Sequence, residues 1–123
     1  MCYNVRIFKE RNFMETKVDM KIFRLQSAIS KTMANPLRLA ILYYLKGKEK
    51  TVNELAELVG ASQSNVSQHL AMMRQRDMVK TRKKGTSIFY RVSNPKINQA
   101  CDLVREVLLE QLQEKQKLIK EMS

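Results

Sequence analysis

Ser62-Gln63-Ser64-Asn65-Val66-Ser67-Gln68-His69-Leu70 alternates two kinds of side chain at a helical spacing. Val66, Leu70 and then Met73 form one aliphatic stripe, while amides and hydroxyls occupy the positions between. Ser62 is a natural cap for a helix that begins there. Upstream, Thr51-Val52-Asn53-Glu54 has the form of a capping box, with Thr51 bonding forward and Glu54 reaching back. Leu55, Leu58 and Val59 would bury that short helix, and Gly60 would supply a positive-φ stop. Downstream of Arg76-Asp77 the period changes to alternation. Val79 and Thr81, then Ile88, Phe89, Tyr90 and Val92, flank the connection Lys83-Lys84-Gly85-Thr86. Two apolar runs joined by a glycine-containing four-residue connection predict a β-hairpin.

A short helix, a glycine turn, a second helix and a basic hairpin, in that order, predict a winged helix-turn-helix. The flanks extend it. Val18, Ile22, Leu25, Ile29 and Met33 fall at spacings of three and four, which predicts a helix from Thr16. Asn35-Pro36 starts another, because proline fits the first helical position; it runs to about Lys46, with Leu37, Ile41, Tyr44 and Leu45 inward, and ends at Gly47. Asn94-Pro95 repeats the same start. The helix after it, roughly 25 residues, is long for so small a domain. Ile97, Cys101, Val104, Leu108, Leu112, Ile119 and Met122 lie near one of its stripes. Leu103, Val107, Leu109 and Leu118 widen that stripe beyond what a small monomer can cover. The expected class is therefore mainly α with a β-hairpin wing, in the order α-α-α-α-β-β-α, forming a homodimer through the first and last helices. Residues 1–15 show no clean period and are expected to be a basic N-terminal arm, with residues 16–123 as one DNA-binding and dimerisation domain.

The formal charge of +11 is distributed unevenly: net +4 over residues 1–34, +1 over 35–60, +6 over 61–93 and zero over 94–123. A basic hairpin region beside a balanced last helix favours a polyanion at one and protein at the other. No apolar run approaches the ~20 residues needed to cross a bilayer. The first residues lack the apolar region of a signal peptide. Two cysteines, Cys2 and Cys101, are too few for a disulfide framework, so a reducing cytoplasm is expected. Met14 and Met20 are alternative starts, and either would remove Cys2. One histidine, no phosphate-cradling glycine loop and no local His–Cys pairing leave an enzyme reading without a site. No cofactor is expected.

From residue 33 to about residue 104 the chain resembles the ArsR/SmtB-type repressors. The resemblance rests on Met33-Ala34-Asn35-Pro36-Leu37-Arg38-Leu39-Ala40-Ile41-Leu42, on residues 51–60, on residues 62–70, and on Gly85-Thr86-Ser87-Ile88-Phe89-Tyr90-Arg91-Val92. It implies a homodimeric winged-helix repressor that leaves its operator when an inducer binds. The family's metal sites do not transfer. Where arsenic- and cadmium-sensing relatives place cysteines, in the first helix of the helix-turn-helix, this chain has Thr51, Asn53 and Ala56. The last helix carries Asp102, Glu106, Glu110 and Glu114 but no histidine, so a tetrahedral metal site is not expected. Cys101 resembles a last-helix cysteine of redox-sensing relatives, whose partner thiol is replaced here by Tyr43 or Tyr44. Cys2 would have to complete a dithiol, and packing as a small hydrophobe is the simpler reading of Cys101. The inducer stays open.

The partner expected from these residues is double-stranded DNA carrying an inverted repeat. Ser62, Gln63, Ser64, Asn65, Ser67 and Gln68 occupy the first two turns of the helix that would enter the major groove. Gln63, Asn65 and Gln68 are long enough to pair with base edges, and serine hydroxyls suit phosphate or capping. His69 is a candidate phosphate contact. Arg82, Lys83, Lys84, Gly85, Thr86 and Arg91 on the wing are candidate backbone contacts. A winged helix can also dock protein or RNA, but a docking module would present apolar side chains on its second helix. A repressor with no small-molecule sensor is the third reading.

Overall fold

The computed structural model describes residues 15–123; Cys2 and residues 1–14 of the expected arm lie outside the described residues. Those residues form helices α1 (Glu15–Met33), α2 (Pro36–Tyr44), α3 (Val52–Val59) and α4 (Gln63–Gln75), strands β1 (Val79–Lys84) and β2 (Ser87–Val92), and helix α5 (Pro95–Met122). The order is the one expected from sequence. The chain divides into two compact units after Asn35.

The first unit contains α1. Its hydroxyls bond back along the helix, Thr32 Oγ1 donating to the Ala28 carbonyl at 2.9 Å and Ser27 Oγ to the Arg24 carbonyl at 2.7 Å. Ile22, Leu25 and Ile29 of its apolar stripe are exposed.

In the second unit the core gathers where α2, α3, α4 and the hairpin base meet. Ile41, Leu42 and Leu45 from the α2 region, Leu55 from α3, and Val66, Leu70 and Met73 from α4 are fully buried. Helix α2 stops short of Lys46 because its end tightens: the Lys46 amide bonds to the Tyr43 carbonyl, three residues back, at 3.2 Å. Gly47, at φ +66°, then reverses the chain. Leu42 is buried completely, and the expected inner residues Leu37 and Tyr44 are half-buried.

Both halves of the expected capping box form on α3. The Glu54 amide donates to Thr51 Oγ1 at 3.2 Å, and the Thr51 amide donates to Glu54 Oε1 at 2.8 Å. At the other end Gly60 sits at φ 69°, and its amide and that of Ala61 both reach the Ala56 carbonyl. Ala56, not Leu58, joins Leu55 in the core, and Leu58 is 43% exposed. A stripe centred between residues 55 and 56 takes Val52 and Val59 with it and leaves residue 58 on its edge.

The hairpin pairs Val79 with Val92 through to Lys84 with Ser87. Its connection is therefore two residues, Gly85-Thr86, rather than the four expected, and Lys83 and Lys84 belong to β1. Positive φ at Gly85 (62°) and not at Thr86 is the pattern of a type II′ turn, which matches strand twist and lets pairing run to the tip. Lys50 adds a short third rung. Its amide donates to the Tyr90 carbonyl at 3.0 Å, and the Tyr90 amide donates back at 2.8 Å.

Helix α5 begins with Asn94 accepting from the Lys96 amide at 2.9 Å and Pro95 at the first helical position. Its first turns dock on α2. Buried Asn98 donates to the Leu42 carbonyl at 2.8 Å, and Asp102 accepts from Lys46 and Arg105. From Glu106 onward every side chain is exposed, including Leu108, Leu112 and Ile119. No helix among the described residues is long and apolar enough to cross a membrane.

Candidate nucleic-acid interface

Helix α4 divides its surface sharply. Val66, Leu70 and Met73 anchor it, and Gln63, Ser64, Asn65, Ser67 and Gln68 are all exposed. Ser62 Oγ accepts from the Asn65 amide at 3.1 Å, so this hydroxyl satisfies one of the helix's open donors and sits at its positive end. The exposed set consists of side chains that can both donate and accept, and no aliphatic residue interrupts it over the first two turns.

His69 departs from that set. It is half-buried, and its Nδ1 accepts a hydrogen bond from Arg38 Nε at 3.0 Å. Burial, and then the Arg38 charge, hold its pKa below the ordinary histidine value. The ring is accordingly neutral near pH 7, with Nδ1 an acceptor and Nε2 left as the N–H donor. This hydrogen bond ties α2 to α4.

Strand register sorts the wing residues onto two faces. Val79 with Val92, Thr81 with Tyr90 and Lys83 with Ile88 share the face that packs on the helices at its base. Lys80 with Arg91, Arg82 with Phe89 and Lys84 with Ser87 share the other. Lys83 and Lys84, alike in sequence, thus point to opposite sides. Lys80, legible in the sequence as one of the hairpin's cations, stands directly opposite Arg91 on the cationic face. Its place beside Arg91 follows from pairing register, which depends on turn length.

Arg82 is engaged by Glu49 from the loop before α3, with Nη2 2.7 Å from Oε1 and Nε 3.1 Å from Oε2. Its guanidinium also lies 5.4 Å from the centroid of the Phe89 ring. The Arg82 hydrogen bond is the main cause that holds the Glu49 carboxyl below the usual carboxylate range.

Cys101 is 8% exposed, beside α2. Burial pushes its thiol up, with Arg105 opposing and Asp102 adding to the shift. A reactive thiol needs the opposite shift. Cys2 lies outside the described residues.

A buried-stripe helix held at a fixed angle by a capped two-turn helix, with a charged hairpin alongside, is a winged helix-turn-helix, the fold of a DNA-binding domain. The pattern describing the bacterial regulatory protein, arsR family, matches residues 35–81. KmtR, an HTH-type transcriptional regulator of Mycobacterium tuberculosis, is 44% identical over 71 residues, covering 58% of this chain and 55% of KmtR. That match spans little more than half of KmtR. The transcriptional repressor PagR of Bacillus anthracis is 32% identical over 96 residues, 77% of this chain and 96% of PagR. Among solved structures, the homodimeric winged helix-turn-helix DNA-binding domain of Mb0332 from Mycobacterium bovis is 26% identical with a TM-score of 0.70, covering 78% of this chain and 89% of that one. The chain belongs to the arsR family of bacterial regulatory proteins, and it is a DNA-binding transcriptional regulator, not an enzyme.

Proposed function

We propose that this chain is a homodimeric cytoplasmic repressor that binds an inverted-repeat operator and is released by an inducer. One observation carries the reading: the outer face of α4 exposes Gln63, Asn65 and Gln68 beside three serines, while its inner face is fully buried. Glutamine and asparagine match the donor–acceptor pair of adenine in the major groove. Ser62, Ser64 and Ser67, with the positive end of the helix, suit phosphate. On the wing, Lys80, Lys83, Lys84 and Arg91 with the Gly85-Thr86 tip supply sequence-blind backbone contacts. His69, half-buried beside Arg38, is a further candidate contact to the same backbone.

The exposed leucines of α5 support the dimer, since Leu108, Leu109 and Leu112 are each about half exposed in one chain. A second copy covers such a surface in the way a coiled seam does. The homodimeric M. bovis relative and the repressor PagR favour the same assembly and the same direction of control. Two recognition helices then read half-sites one turn of duplex apart, about 10 bp.

Selection of binding sites from random duplex DNA tests the proposal. A palindromic consensus, altered by Gln63→Ala or Gln68→Ala, is the expected result. No enriched site would reduce the protein to a sequence-blind binder, and a monomer in sedimentation would remove the inverted repeat. Leu108→Glu with Leu112→Glu should convert dimer to monomer and abolish operator binding while α3 and α4 stay folded.

A further inference from the structure

Among the described residues, one carboxylate is ion-paired with the cationic face of the wing: Glu49, from the loop before α3. Glu49 grips Arg82 through two guanidinium nitrogens, the fork geometry that makes arginine–carboxylate pairs directional. Lys84 and Arg91 lie close enough to act on the same carboxylate. The backbone that carries Glu49 is pinned beside the wing, because the next residue, Lys50, exchanges two backbone hydrogen bonds with Tyr90 of β2. Arg82 is held from the other side by the face of Phe89, its direct cross-strand neighbour. The pair remains open to solvent, Arg82 being 48% exposed.

We propose that Glu49 is a positioning residue that serves as the wing's own counter-anion, holding Arg82 back from DNA phosphate and setting the sequence-blind part of the affinity. The inference rests on the DNA-binding reading above. Of the four cations on that face, Lys80, Arg82, Lys84 and Arg91, one is committed internally. Each phosphate neutralised by protein contributes about 0.9 to the slope of log affinity against log salt. A wing in which Arg82 is already neutralised releases one fewer counterion per protomer. Removing the Glu49 charge should restore that contribution.

The test uses the full chain and a random-sequence duplex, so it needs no operator. Binding is titrated by fluorescence anisotropy between 50 and 200 mM salt. Glu49→Gln is expected to steepen the slope by ~0.9 per protomer, or ~1.8 for a dimer, an extra loss of roughly twelvefold across that range. Glu49→Asp should keep the pair and the wild-type slope, which separates charge from loop damage. Arg82→Ala alone leaves Glu49 beside Lys84 and Arg91 and should flatten the slope, whereas Arg82→Ala in the Glu49→Gln background should return it to the wild-type value. An unchanged slope in Glu49→Gln would overturn the proposal. So would a steepened slope that persists in the Glu49→Gln/Arg82→Ala double variant, since the gain would then not come from Arg82. Wild-type protein that shows no salt-dependent binding at all would overturn the DNA reading, and this proposal with it.

Discussion

Ser62 caps α4 and is proposed above as a phosphate contact, and substitution can separate the two roles. Its Oγ accepts a 3.1 Å hydrogen bond from the Asn65 amide, with the backbone extended at φ −69° and ψ 152°. Loss of such a cap costs about 1 kcal/mol, within a range of 0.5–2. Ser62→Ala should therefore lower unfolding free energy by about that amount in urea titration, at one fixed concentration because dimerisation couples to stability. Ser62→Asp retains an acceptor for the Asn65 amide and adds charge favourable to the helix's positive end, so it should match wild type or exceed it by ~0.3–1 kcal/mol. On DNA the order reverses. An aspartate about 4 Å from a phosphate costs ~1 kcal/mol even at the dielectric of water. Two protomers make that ~2 kcal/mol, roughly a 30-fold loss of affinity. Thr51→Ala provides the control, since Thr51 caps α3 by the same chemistry at 3.2 Å from the Glu54 amide. It should cost similar stability and leave the affinity of the folded protein unchanged. If Ser62→Ala is as stable as wild type, the hydroxyl contributes nothing as a cap. If Ser62→Asp binds DNA like wild type, Ser62 faces away from the backbone and the docking of α4 is wrong.

Leu70→Ala, at a fully buried site on α4, should cost ~2–5 kcal/mol in urea denaturation. Leu58→Ala should cost well under half of that, because Leu58 is 43% exposed, and equal costs would contradict the assignment of the α3 face. Gly85→Val forces a β-branched residue to φ +62° and should destabilise the hairpin by ~1–2 kcal/mol, with Gly85→Asn milder; amide exchange along β1 and β2 reports it, and equal protection in both variants would count against the turn. The folded pKa of His69 lies below the unfolded value of 6.5, so the folded form favours neutral imidazole. That contribution to stability is complete above pH 6.5 and lost as pH falls through the folded pKa. Urea titrations at pH 7 and pH 5 should show the loss and His69→Gln should reduce it, whereas an imidazole NMR titration with its midpoint above 6.5 would reverse the sign.

The element order was legible in the sequence because it is written in local chemistry. Caps at Thr51, Ser62 and Asn94, prolines at residues 36 and 95, and glycines at 47, 60 and 85 mark ends that the chain makes with its neighbours along the backbone. The α4 stripe was legible for the same reason, since a 13-residue helix repeats its inner face often enough to be read from Val66, Leu70 and Met73. Eight-residue α3 repeats it barely twice, so Leu58 and Ala56 could not be ranked by periodicity alone. What remained hidden is non-local. The Gly85-Thr86 connection looks four residues long until β1 and β2 pair, and a different turn length would have moved Lys80, Arg82 and Lys84 to other neighbours. Glu49 lies 33 residues before Arg82 and carries no motif of its own. His69 reads as a free imidazole on a polar helix until α2 brings Arg38 against it, 31 residues away. In each case the sequence names the residue type correctly, and tertiary contact decides whether its charge is spent inside the protein or offered to a partner. Counting cations along the chain therefore overstates the wing's attraction for DNA by one charge, and the salt slope measures that excess directly.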